Sequence, residues 1–147
     1  MASAEAETSA RLDLPTINRT IALDFLDAIV GGDIDRCAAL LHPDAAWWVQ
    51  GWGNNSGANF LHSLSLTIAR SSSRVFRIGL VTAQDDRVAV QAEGIFAFAE
   101  GAYANSYHYL FEIVDRRIRK GYEYLDTQIA AAFFATTRPT ILTGETM

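Results

Sequence analysis

The sequence predicts an α+β domain in which helices come first and an antiparallel sheet follows. Three observations carry that prediction. Ile17, Ile21, Phe25 and Ile29 recur every four positions, with Leu26 widening the stripe, which is the period of a helix with one buried face. From residue 74 onward the pattern changes to runs rich in Val, Ile, Phe and Tyr. Those runs are broken at Asp85-Asp86, Glu100-Gly101 and Asp115-Arg116, the punctuation of strands joined by short turns. The chain has 147 residues, 50% of them hydrophobic and 20% charged, which suits one domain with a substantial core.

Taken in order, residues 1–12 are small and polar and read as a loose tail. The first helix begins near Asp13 to Thr16 and stops at Gly31-Gly32. Asp33 can cap a second, short helix that runs to about Leu41 and ends at His42-Pro43-Asp44. "AAWWVQG" reads as a strand and "GWGNNSG" as a loop. Ser56 caps a third helix, in which Phe60, Leu64 and Ile68 share a face. Residues 74–83, 87–99, 103–114 and 117–125 form a four-stranded meander that must curl over the apolar faces of the helices. A last helix, capped by Asp126 or Thr127, reaches about Ala135. The domain is expected to span residues 13–136, with 137–147 as a second tail and no internal repeat.

Several function classes drop out. A net charge of −5 argues against a nucleic-acid surface, and Arg116, Arg117, Arg119 and Lys120 read as a solvated turn and strand. Cys37 is the only cysteine, so neither an intrachain disulfide nor a cysteine-rich metal site is expected. His42, His62 and His108 share no ligand-like spacing, and no glycine-rich phosphate loop is present, so no metal or cofactor is expected. The first residues lack the apolar core of a signal peptide, and no apolar run would span a bilayer. A soluble, cytoplasmic protein is the expectation.

Alternation assigns faces to the strands. In 103–114 the odd positions Tyr103, Asn105, Tyr107, Tyr109, Phe111 and Ile113 are strongly aromatic and are expected to face the helices. In 87–98, Val88, Val90, Ala92, Phe96 and Phe98 form one apolar face, with Gln91 and Glu93 on the other. In 117–125, Glu123 shares a face with Gly121 and Leu125. Periodicity alone would send Glu93 and Glu123 to solvent, and a pocket acid is the sharper alternative. One of Trp47 and Trp48 should face inward.

The segment "YANSYHYLFEIVDRRIRKGYEYLDT" resembles the closing signature of many SnoaL-like proteins. "ALDFLDAIVGGDIDRCAALLHPDAAWW" and "VQGWGNNSG" resemble the helix–helix–strand opening and following loop of the same group. The resemblance covers about residues 17–135. It implies the nuclear-transport-factor-2-like cone, whose concave sheet and first helix enclose an apolar pocket and whose convex side commonly makes a dimer. This superfamily includes ketosteroid isomerases, polyketide cyclases, limonene-epoxide hydrolases and non-catalytic scaffolds.

Register-matching to the epoxide-hydrolase branch implies Glu93 and Glu123 as a catalytic pair, with Gln91 at the position of an orienting arginine. On that basis Val88, Val90 and Phe96 would belong to the convex side. The residues that hold the hydrolytic water in that branch fall on Trp47 and Val49, and the isomerase base falls at or near Val49. Neither specialised mechanism is therefore intact. Two carboxyls in one apolar cavity would repel, so one should hold a proton near neutral pH.

The expected protein is a cofactor-independent enzyme for a small hydrophobic oxygenated molecule, of isomerase, cyclase, dehydratase or epoxide-hydrolase type. Glu93 and Glu123 would be its acid–base pair and Gln91 an orienting residue. Trp47, Asn105, Tyr107, Tyr109, Leu26 and Ile29 would form the substrate wall. The family implies a homodimer. The alternative is a ligand-binding or dimerisation module of the same fold without turnover.

Overall fold

In the computed structural model the backbone is described for residues 4–137 and side chains for residues 13–134. Helix α1 spans Ala4–Val30 and α2 Ile34–Leu40, followed by strands β1 (Leu41–Val49) and β2 (Gly53–Ser56). Helix α3 (Gly57–Arg70) then leads into β3 (Ser71–Gln84), β4 (Arg87–Phe98), β5 (Gly101–Val114) and β6 (Arg117–Leu125), and α4 (Thr127–Thr137) follows. The six strands form one sheet in the order β2-β1-β6-β5-β4-β3. The pairing of β1 with β6 is parallel and the others are antiparallel. Register shifts at Ile78/Val81 and Glu112/Ile113 bend the strands, as bulges do, and let the sheet curl over the helices.

The helix caps follow the sequence. Asp33 Oδ1 accepts from Arg36 N at 3.0 Å, Ser56 Oγ from Asn59 N at 3.1 Å, and Asp126 Oδ1 from Gln128 N at 2.9 Å. Arg74 binds α1 and α3 together at their C-terminal ends. Its Nε donates to Ile29 O at 3.0 Å and its Nη1 to Ile68 O at 3.2 Å, satisfying carbonyls that helix ends leave open.

Three expectations change. The segment read as an N-terminal tail is helical from Ala4, because its Ala- and Glu-rich sequence has strong helix propensity and extends α1 ahead of Pro15. The loop "GWGNNSG" contains β2, whose asparagines have poor strand propensity and are held by pairing with β1. The C-terminal tail expected at 137–147 lies outside the described residues apart from Thr137.

The last change, after the N-terminal helix and β2, sets the site. Val88 and Val90 are wholly buried, Phe96 and Phe98 nearly so, and all four belong to the core. Pairing puts Val88 opposite Phe111 and Val90 opposite Tyr109, so the apolar set of β4 shares the inner face with the aromatic set of β5. The assignment of Val88, Val90 and Phe96 to the convex side is therefore corrected. A sheet face covered by helices takes the most apolar alternate set of each strand. At the centre, Phe25 of α1 meets Trp47, Phe60 and Phe111 with ring centroids 5.4, 6.3 and 6.2 Å away. Among the described residues no helix is long and apolar enough to cross a membrane.

Candidate active site around Glu123

The parallel pairing of β1 and β6 sets Trp47 opposite Gly121 and Val49 opposite Glu123. A β-carbon on residue 121 would collide with the Trp47 indole, so glycine is what lets the ring lie flat on the β6 backbone. Phe60 covers the other side of the ring, stacked at 4.0 Å with an interplanar angle of 9°. Asn55 of β2 secures the strand beneath it, donating from Nδ2 to Trp47 O at 3.4 Å and Gly53 O at 3.2 Å. Held this way, Trp47 Nε1 donates to Glu123 Oε1 at 3.2 Å.

Glu123 keeps part of its surface, but Trp47, Val49 and Tyr109 beside it are 1 to 3% exposed. Desolvation pushes its carboxyl up from 4.5 to about 7, and the Trp47 hydrogen bond pulls the other way. None of the ion pairs among the described residues involves Glu123. A carboxyl in this setting is divided between acid and carboxylate near neutral pH, so it can either give or take a proton.

Tyrosines line the strand opposite. Tyr109 pairs directly with Glu123 across β5 and β6. Tyr107 and Tyr109 stack at 5.3 Å, and Tyr109 and Phe111 at 5.7 Å. Burial, then neighbouring tyrosines and Glu123, hold the Tyr107 hydroxyl well above its ordinary range; burial, then Glu123 and Tyr103, do the same for Tyr109. Both are neutral donors at physiological pH.

The other expected site residues fall elsewhere. Glu93 is exposed on the outer face, where it pairs with Ser106 and accepts from Ser106 Oγ at 2.9 Å. Gln91 is exposed on the same face, opposite His108. Both border an open outer groove of about 630 Å³, together with Leu80, His108 and Tyr124. Glu93 and Glu123 thus lie on opposite faces of the sheet and form no pair, and Gln91 does not orient Glu123. The physical reason is parity: the inward direction of Val90 and Ala92 forces Gln91 and Glu93 outward.

Asn105 is not free for a ligand. Its Nδ2 donates to Tyr103 Oη at 2.8 Å and Asp126 O at 2.9 Å, and its Oδ1 accepts from Asp126 N at 3.1 Å, so it fastens β5 to the start of α4. Leu26 and Ile29, 1% and 4% exposed, are packed core, which corrects their reading as pocket wall. Trp47 faces in, whereas Trp48 contacts Tyr122 and Tyr124 at 6.3 and 4.9 Å in an outer cluster. Asn55 and Gly121 were not singled out in the sequence. The one local sign is that Gly121 and Glu123 alternate onto the same face of "RKGYEY".

Residues 22–121 match the SnoaL-like domain family, and the chain belongs to that family. No curated protein matches the sequence. Solved structures share the fold. The BvnE pinacolase from Penicillium brevicompactum superimposes with a TM-score of 0.78 at 12% identity, over 85% of this chain and 93% of that one. An LEH-like epoxide hydrolase from M.tuberculosis gives 0.71 at 17% identity, over 85% and 98%. PrhC from Penicillium brasilianum gives 0.76 at 14% identity, over 85% and 92%. With a curved six-stranded sheet against N-terminal helices, the architecture is the nuclear-transport-factor-2-like cone.

Proposed function

We propose that this protein is an enzyme acting on a small hydrophobic oxygenated molecule, with Glu123 as its single general acid–base group. The observation that carries the reading is the Glu123 carboxyl itself: desolvated, without an ion-pair partner among the described residues, raised to about 7 and held in one orientation by Trp47. A core side chain selected for stability alone would not be a carboxyl in that position, because burying a charge without a cation is costly. Solved structures that share the fold include a pinacolase and an epoxide hydrolase, which supports an enzymatic reading.

Within that reading, isomerisation, cyclisation, dehydration and epoxide opening all need a proton moved at a site shielded from water. Glu123 supplies the proton or accepts it. Trp47 keeps the carboxyl aimed and favours its ionised form. Glu93, on the other face, has no part in the step. A second copy of the chain is expected on the outer face, where Leu80 is 77% exposed beside the groove bordered by Tyr124.

The test is a panel of small apolar ketones, hydroxyketones and epoxides incubated with the purified protein in D₂O. Deuterium uptake and new products are read by mass spectrometry. Turnover is expected in the wild type and in Glu93→Gln, with a loss of about 100-fold or more in Glu123→Gln. Equal turnover by wild type and Glu123→Gln would overturn the assignment.

A further inference from the structure

Glu123 sits where β6 loses its neighbour. The parallel ladder with β1 stops at Val49 opposite Glu123. The chain then turns: Trp52 N donates to Val49 O at 2.9 Å, and Gly51 has a φ of +87°, the glycine of a type II turn. A β-carbon on residue 51 would lie 3.2 Å from Thr127 Cγ2, so the turn rests against the start of α4.

In a parallel ladder a residue gives its N–H to one carbonyl of the partner strand. On its own carbonyl it takes the N–H found two residues further along that strand. Gln50 N donates to Glu123 O at 3.0 Å, which is the first of these bonds. The second would bring the Leu125 N–H to the Gln50 carbonyl, but the flipped central peptide of a type II turn points that carbonyl out of the sheet. Leu125 N donates instead to the side-chain Oε1 of Gln50, at 3.2 Å. A side-chain amide thus stands in for a backbone carbonyl, and the ladder continues past the end of β1.

The other neighbour of β6 cannot replace these bonds. Glu123 and Leu125 pair with Tyr109 and Tyr107 of β5, but a strand residue turns its N–H and its C=O to the same side. At residues 123 and 125 that side is β1. From Asp126 onward Asn105 takes over, accepting from Asp126 N at 3.1 Å and donating to Asp126 O at 2.9 Å. Between Trp48 and Asn105, the backbone that carries the carboxyl is therefore secured on the β1 side by Gln50. The Gln50 side chain lies on the outer side of the sheet, where it borders the groove with Tyr124, and it does not reach the carboxyl.

We infer that Gln50 is a positioning residue for Glu123: by prolonging the β1–β6 ladder it holds the Glu123 backbone against the strand of Trp47 and keeps the carboxyl on the inner face. This rests on the reading of Glu123 as the acid–base group. Because Gln50 works from the opposite side of the sheet, removing its amide opens no space beside the carboxyl. Any change at Glu123 must then travel through the backbone of β6.

Gln50→Met keeps the outline of the side chain and loses the acceptor, whereas Gln50→Glu retains an acceptor oxygen. The Glu123 titration is followed by carboxyl ¹³C NMR in wild type and both variants, beside thermal melts. The midpoint is expected to fall by about one pH unit or more in Gln50→Met, as water reaches a carboxyl no longer held inward. Loss of the Trp47 bond alone would raise it, so a fall reports water. In Gln50→Glu the midpoint should stay at about 7 or rise, since a second carboxylate pushes it upward. An unchanged midpoint in folded Gln50→Met, whatever its melting temperature, overturns the role of Gln50 and leaves that of Glu123 standing. An equal fall in Gln50→Glu overturns it too. A wild-type midpoint near 4.5 removes the acid–base reading and this inference with it. If Gln50→Met does not fold, amide hydrogen exchange of Leu125 in the wild type decides. Protection of about 100-fold or more over a free amide is expected, and exchange at the free rate would show that Gln50 does not hold this strand.

Discussion

Two glutamates on neighbouring parts of one sheet have opposite fates. Glu123 of β6 lies on the inner face, takes a hydrogen bond from a buried indole and is desolvated enough to titrate at about 7. Glu93 of β4 lies on the outer face, exposed, with a serine hydroxyl as its partner. Among the described residues each carboxyl accepts from one side-chain donor, at 3.2 Å for Glu123 and 2.9 Å for Glu93, so hydrogen bonding does not distinguish them. The difference comes from which side of the pleat each occupies, and therefore from how much water each keeps. One residue of register separates a solvated carboxyl from a desolvated one.

The sharpest way to break this comparison is to remove the indole. Trp47→Ala should lower unfolding free energy by about 3–5 kcal/mol in thermal or denaturant melts, because it empties the contact with Phe25, Phe60 and Phe111. The outer Trp48→Ala should cost only about 1 kcal/mol. Equal losses would mean that the inner face is not the better packed.

Glu123→Gln should act in the opposite direction. The folded carboxyl is raised above its unfolded value, so between about 4.5 and 7 the folded state holds a proton that the unfolded state has lost. Stability contributed by the protonated form is therefore present at low pH and lost as pH rises through that window. A rise of this size corresponds to about 3 kcal/mol of strain once both states are ionised. At pH 8 Glu123→Gln should be more stable than wild type by up to that amount and should flatten the pH dependence between 4.5 and 7. Glu93→Gln should stay within about 0.5 kcal/mol of wild type. Urea melts across pH check both.

A smaller effect is expected at Gly121. Gly121→Ala should cost about 1–3 kcal/mol, since the indole must shift off β6. That shift also weakens the bond to Glu123. Trp47→Phe keeps much of the ring packing but removes the N–H, which favours the ionised form. It should therefore move the titration of Glu123 above 7, measurable by carboxyl NMR.

Much of this fold was legible in the sequence. The four-residue stripe from Ile17 to Ile29 marked α1, and the aromatic odd face of residues 103–113 pointed inward as it should. The alternation of Val88, Val90, Phe96 and Phe98 also carried the correct face for β4. Matching its register to distant relatives pointed the other way, and apolar burial against the helices prevailed. Glu123 could be named as a candidate from "GYEYLD", but its desolvation could not be read there. It depends on a parallel pairing between residues about 75 positions apart, which brings Trp47 onto Gly121. Asn55 was hidden for the same reason, since its hydrogen bond to Trp47 arises only once β2 pairs with β1.

The central claim, that one inner-face carboxyl changes its charge near neutrality, has a direct test. A ¹³C NMR titration of glutamate carboxyls, with the Glu123 resonance assigned by its loss in Glu123→Gln, should give a midpoint for Glu123 near 7. A midpoint at the ordinary glutamate value of about 4.5 would show that water reaches this carboxyl freely, and the acid–base role would have no physical basis.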